Sequence, residues 1–214
     1  MEPRPVRIPP QPPEEWDEAT RAELGGIVAV GSMRRPVHLP AVVARHPNLL
    51  APYLAWAKAV ALHGVLSRRD RELLALRTAY LHRSEFEWGV HHHYALAPGG
   101  LTAEEVAAID AGADAERWTP TERALLRAAD DLHATSTVSD ATWDELSDAF
   151  GDAALLEVVF VVGHCSMLSM VANATGVQPE PGWPSLPPRR RRHTDPAGGG
   201  ARPPTPDVGS TPGR

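Results

Sequence analysis

Four short signatures decide what this chain can fold into. Thr102-Ala103-Glu104-Glu105 and Thr119-Pro120-Thr121-Glu122 each set a hydroxyl three residues ahead of a glutamate. That pattern satisfies the free amides at a helix start reciprocally. The second also carries proline at the first helical position, where its missing N–H is not needed. Ser84-Glu85-Phe86-Glu87 repeats the pattern, and Ser67 with Asp70 offers caps to the segment before it. Between these starts apolar residues recur at three-to-four spacing, as in Leu73, Leu74, Leu76 and Leu81. Strand-type alternation is scarce.

The signals predict a short helix over 17–24, then a loop with Gly31, Pro36 and Pro40. A turn at Pro47 starts a helix to about His63, where Gly64 stops it. Further helices are expected over 67–83, from Ser84 to the Pro98-Gly99-Gly100 stop, and from Thr102 to about Ala111. Three more run from Thr119, from Ser139 as a cap, and, preceded by Gly151-Asp152, to near Gly176. The fold class is therefore all-α, with roughly eight helices in one compact domain. The segments "RELLALRTAYLH" and "ERALLRAADDLH" both end in Leu-His (Leu81-His82 and Leu132-His133), a faint hint of two related halves.

Composition divides the chain into three. Of the 22 prolines, those at 3, 5, 9, 10, 12 and 13 crowd the start, and another group runs from Pro179 to the end. Residues 1–15 and 179–214 are thus expected to be disordered, around a domain at 16–178. The whole chain carries a net charge of −6, but its last segment is arginine-rich, which leaves the body more acidic still. An acidic body argues against nucleic acid as a partner, since phosphate contacts need Lys and Arg. The run Arg189-Arg190-Arg191-Arg192 reads as a solvated tail. The single cysteine, Cys165, allows no internal disulfide and suits a reducing, cytoplasmic setting. Residues 153–174 are long and apolar enough to span a bilayer, but Glu157, His164, Ser166, Ser169 and Asn173 interrupt them. A buried core helix is the expectation, with no membrane partner.

The candidate chemistry gathers around one helix. Ser84, Glu87 and His91 fall at i, i+3 and i+7, on one face. Glu87 and His91, four apart, can meet as a proton-transfer pair. The competing reading is that Glu87 only caps Ser84. Glu85, His92 and His93 show no special partner. Glu72 precedes the apolar stripe Ala75, Leu76 and Ala79, so it is either partly buried, with a raised pKa, or an exposed first-turn glutamate. His164 is a satisfied core histidine or a pocket lining. Cys165 has no cationic neighbour in sequence and reads as a buried, inert thiol. Trp88 and Phe86 frame a pocket or fill the core. Glu72, Glu87 and His91 are a conceivable metal set, but no spacing demands one, and no metal is assigned.

The run "RELLALRTAYLHRSEFEWGVHHHYALAPGGLTAEEVAAI" resembles the carboxymuconolactone decarboxylase family, which includes the alkylhydroperoxidase D-like proteins. "WTPTERALLRAADDLH" and "VVGHCSMLSMVANATGV" resemble the later part of such chains. The resemblance implies an all-helical fold assembled as homotrimers or homohexamers. In the peroxidase branch a CxxC dithiol is followed four residues later by a histidine, with a glutamate upstream. On this chain the two cysteine positions fall on Ser84 and Glu87, the histidine on His91, and the glutamate on Glu72. Dithiol peroxide reduction needs a thiolate and a resolving thiol, and neither position supplies one. The lactone-decarboxylating branch, which moves protons without metal or organic cofactor, is nearer in kind. The resemblance thus implies Glu72, Glu87 and His91 as catalytic groups. Trp88, His164 and Ser84 are the substrate-binding candidates, and Arg77 and Arg83 are candidates for a substrate carboxylate. A small carboxylated or lactone substrate and no cofactor are expected. A peroxidase and a non-catalytic helical oligomer are the alternatives.

Overall fold

The computed structural model describes residues 4–28 and 37–188. Among them are nine α-helices, two short 3-10 turns and no strand. The helices are α1 (Glu18–Val28), α2 (His38–Val43), α3 (Pro47–Leu62), α4 (Arg68–Leu81), α5 (Glu85–Ala95), α6 (Ala103–Ala108), α7 (Pro120–Thr135), α8 (Asp140–Ser147) and α9 (Asp152–Thr175). The Gly31 and Pro36 part of the expected loop lies outside the described residues. Pro40 does not sit in a loop but inside α2, early enough that its missing N–H removes no interior bond.

The helix starts follow the sequence signals closely. Thr102 and Thr119 form complete capping boxes with Glu105 and Glu122. Ser67 accepts the amide of Asp70. Ser139 departs from expectation. Its hydroxyl donates to Asp131 at 2.7 Å and caps no amide of α8. The helix expected to run to Ala111 ends at Ala108. It continues as a 3-10 turn, Ile109–Asp114, bent at Gly112, whose φ of 62° favours glycine.

Helix α4 is the hub. Every residue from Glu72 to Tyr80 is buried, and the helix packs against α5, α7 and α9. Its leucines join Trp88, Trp118, Leu125, Leu126, Val158 and Val162 in the main core. Polar groups on so enclosed a helix need internal partners. Arg77 bonds Asp130 of α7 through Nε at 2.6 Å and the carbonyl of Ile109 at 2.8 Å. At the helix start, Arg69 reaches both capping-box glutamates, Glu105 and Glu122, each at 2.6 Å. One guanidinium thus ties the starts of α6 and α7 to α4.

Helix α9 is long and apolar enough to cross a membrane by length and composition. Here its buried face, including Leu155, Val158, Val161, Val162 and Cys165, closes the main core. Glu157, which interrupts its apolar run, accepts the amide of Leu66 at 3.0 Å and so fastens the turn between α3 and α4.

The expected disorder does not extend over all of either end. Arg7 and Ile8 donate their amides to the carbonyl of Thr175, at the end of α9, and Gln11 donates to Ala41. After α9, Trp183 stacks on His93, and the amide of Leu186 bonds Glu85 at 2.8 Å. Apolar docking and satisfied amides fix these proline-rich stretches without regular structure. Arg189–Arg192 lie outside the described residues.

Removing Arg77 takes a partner from the Asp130 carboxylate and the Ile109 carbonyl. An Arg77→Ala variant is expected to lose about 2 kcal/mol of unfolding free energy, because the buried Ile109 carbonyl loses a charged donor while Asp130, a third exposed, can turn to water. Urea denaturation checks this, and a loss under about 1 kcal/mol contradicts the stated role of the pair.

Candidate active site

Three helices converge on His91. Ser84 caps α5 by accepting the amide of Glu87 at 3.3 Å, while its own amide bonds Ala79. The reciprocal arm of a capping box is missing, because the Glu87 carboxylate turns along the helix to His91 instead. Its Oε2 lies 3.6 Å from His91 Nε2. Glu72, one turn into α4, lies 2.8 Å from His91 Nδ1 through its own Oε2. Cys165 of α9 sets its Sγ 3.7 Å from Nε2. Glu72, Glu87 and Cys165 are buried, whereas His91 keeps 18% of its side chain exposed. The imidazole is where this cluster meets the outside.

The electrostatics follow from the packing. Burial works against a charged His91, but Cys165 and Glu72 more than offset it, and the His91 pKa stands well above its ordinary value. Burial pushes the Cys165 thiol up as well. Glu72, 2.8 Å from Nδ1, is the carboxylate in direct hydrogen-bond contact with the ring.

The residues singled out from sequence divide clearly. Glu72, Glu87 and His91 are brought together. Ser84 is fully buried as the cap of α5 and supports Glu87 from behind. Trp88 is placed in the main core, where it fills space. His164 sits beside the cluster on α9. Its Nδ1 accepts from Trp56 Nε1 at 3.0 Å. Burial, and then the charge of His91, press its pKa down to about 4. Arg77 is committed to Asp130, and Arg83 donates to the carbonyl of Pro187 at 2.8 Å, so neither is placed for a substrate carboxylate. Glu85 and His93, expected to lack partners, hold Leu186 and Trp183.

Sequence reasoning missed three neighbours. Cys165 was set aside for lack of a cation nearby in sequence, yet the fold supplies His91 from α5. Tyr53 and Trp56, three apart on α3, both reach the site. Burial and the nearby Glu87 push the Tyr53 phenol pKa up. Trp56 contacts His164 and packs edge-on against Phe160, with centroids 5.4 Å apart. The i, i+3 spacing of Tyr53 and Trp56 was the available signal.

The arrangement is a cluster of titratable side chains within a helical fold, and comparison with known proteins agrees with the resemblance read from the sequence. The model of the carboxymuconolactone decarboxylase family matches residues 47–131, which hold α3, α4, α5, α6 and most of α7. No curated protein matches the chain significantly. Among solved structures, an uncharacterized peroxidase-related protein from Silicibacter sp. TM1040 superposes with a TM-score of 0.69 at 19% identity, over 86% of this chain and 95% of its own. A peroxidase-related protein with an alkylhydroperoxidase AhpD core, from Ralstonia eutropha JMP134, gives 0.65 at 21% identity, over 83% and 94%. The debrominase Bmp8, in complex with 2,3,4-tribromopyrrole, gives 0.66 at 14% identity, over 84% and 95%. At these identities the likeness is one of fold.

Histidine NMR titration reads the site directly. His91 is expected to remain protonated above neutral pH, and His164 to stay neutral until the pH approaches about 4. Folding raises the His91 pKa, so its contribution to stability is complete below about pH 6.5 and fades as pH rises through the folded value. Folding lowers that of His164, so its contribution is complete above about pH 6.5 and is lost as acid approaches the folded value. Glu72→Gln should bring the His91 titration back toward the ordinary range. An unmoved curve contradicts the role given to Glu72.

Proposed function

We propose that this protein catalyses proton transfer on a small carboxylated or lactone metabolite, in the manner of a carboxymuconolactone decarboxylase-like enzyme. The observation that carries this reading is His91, held between Glu72 on one nitrogen and Glu87 on the other, and partly open to the outside. When a carboxylate leaves its carbon as CO2, the electron pair stays on that carbon and needs a proton. The imidazolium of His91 is poised to supply it from Nε2. Glu72 holds the ring and its charge, Glu87 stands within reach to relay a proton back, and Trp56 with His164 forms an apolar and neutral wall beside them. The dithiol route to peroxide reduction has no residues to run on, since Ser84 and Glu87 occupy the dithiol positions and Cys165 is the single cysteine.

Self-association belongs to the same proposal. Leu156, Phe160, Met167 and Met170 form an exposed stripe along α9, continued by Trp56. A stripe of this kind suits contact with a second copy of the chain, in keeping with a homotrimer or homohexamer.

A thermal-shift screen of lactones and aromatic acids is expected to find ligands that raise the melting temperature. With the substrate so identified, His91→Ala should cut turnover by about 10² to 10⁴, the usual worth of a general acid. Wild-type turnover in His91→Ala and Glu72→Gln together would end the reading. Light scattering of Phe160→Glu against wild type tests the stripe, with a smaller particle expected.

A further inference from the structure

The geometry points to a second use of the same cluster: Glu87, His91 and Cys165 form a binding site for a zinc-type divalent cation. One donor atom from each, a carboxylate oxygen, Nε2 and Sγ, lies within 4.8 Å of the other two. Tetrahedral zinc with ordinary bond lengths sets its N and S ligands about 3.6 Å apart and its N and O ligands about 3.4 Å apart. The corresponding separations here are 3.7 Å for His91 Nε2 to Cys165 Sγ and 3.6 Å for Nε2 to Glu87 Oε2. Both edges that meet at His91 Nε2 thus match a metal tetrahedron, and the Glu87–Cys165 edge falls within 4.8 Å.

A second observation is independent of those distances. The other nitrogen of His91 is held by Glu72 at 2.8 Å. Metal-ligating histidines commonly donate their far N–H to a carboxylate, which fixes the tautomer and turns the lone pair toward the metal. Glu72 does that here, leaving Nε2 facing the other two donors. The donor set also selects the ion. The cation displaces the Cys165 thiol proton to solvent, and the resulting thiolate with an imidazole favours zinc or another borderline transition metal over magnesium or calcium, which prefer oxygen alone. Three protein donors leave a fourth position for water or a small ligand.

This inference shares residues with the proposed reaction but does not rest on it. A cation on Nε2 takes the atom that would carry the proton, so the metal-loaded and proton-transferring forms exclude one another. The cluster then works as a proton relay only while metal-free.

Cobalt(II) titration of the full-length protein, freed of metal by chelation, tests the site without any assay of activity. One cobalt per chain is expected, with a cobalt–thiolate charge-transfer band and the intense visible bands of tetrahedral cobalt. Zinc should displace it. Cys165→Ser should abolish the charge-transfer band with helical content unchanged by circular dichroism. Glu72→Gln, which leaves all three donors in place, should weaken binding by about 10- to 100-fold, as loss of an outer-shell partner does. A titration with no thiolate band, or one whose band survives Cys165→Ser, overturns the proposal. So does weak, octahedral cobalt binding alone, which would mean surface histidines. Failure of the metabolite screen with a positive cobalt spectrum would remove the proposed reaction and leave the metal site standing.

Discussion

Helix α4 is enclosed on every side through its middle, and that enclosure governs the rest of the molecule. A helix in this position can carry a polar side chain only where a neighbour answers it. Arg77 is answered by Asp130 and the Ile109 carbonyl, and Glu72 by His91. These two demands fix how α7 and α5 lie against the hub. The candidate site is thus part of the solution to burying α4. Its rigidity follows from the same packing that gives the protein its core.

The chemistry of the cluster rests on unequal burial. Glu72, Glu87 and Cys165 are shut away, and the one ring that touches them all is the one with an open edge. Charge introduced or removed at that edge is felt by three buried groups at once. His164 illustrates the reach of the effect, since the charge of His91 adds to burial in keeping it neutral. One charged and one neutral imidazole thus share the cluster, the separation of roles that the proposed acid/base chemistry calls for.

Much of the fold was legible because helix starts are written in local chemistry. The capping boxes at Thr102 and Thr119 and the caps at Ser67 and Ser84 each appear where the residues predict. Ser139 shows the limit of that logic, since a tertiary partner, Asp131, outcompetes the local amide. The short helix through Pro40 escaped because proline near a helix start looks like proline in a loop. The site was half legible for a similar reason. Glu87 and His91 are one helical turn apart and could be paired on paper. Cys165 and Tyr53 reach them only through packing, which no spacing along the chain encodes. The docking of residues 4–15 and 179–188 escaped because proline content reports the lack of regular structure and says nothing of docking.

The strap that follows α9 leaves a mark on the helix that carries the site. Trp183 lies over Gly89, and a side-chain carbon there would come within 2.9 Å of the indole. The freedom of position 89 to vary is therefore set by a segment far along the chain. A relative without the strap could carry alanine there and gain a stiffer α5. In this protein the bare backbone at position 89, two residues before His91, is part of the room made for its own C-terminal covering.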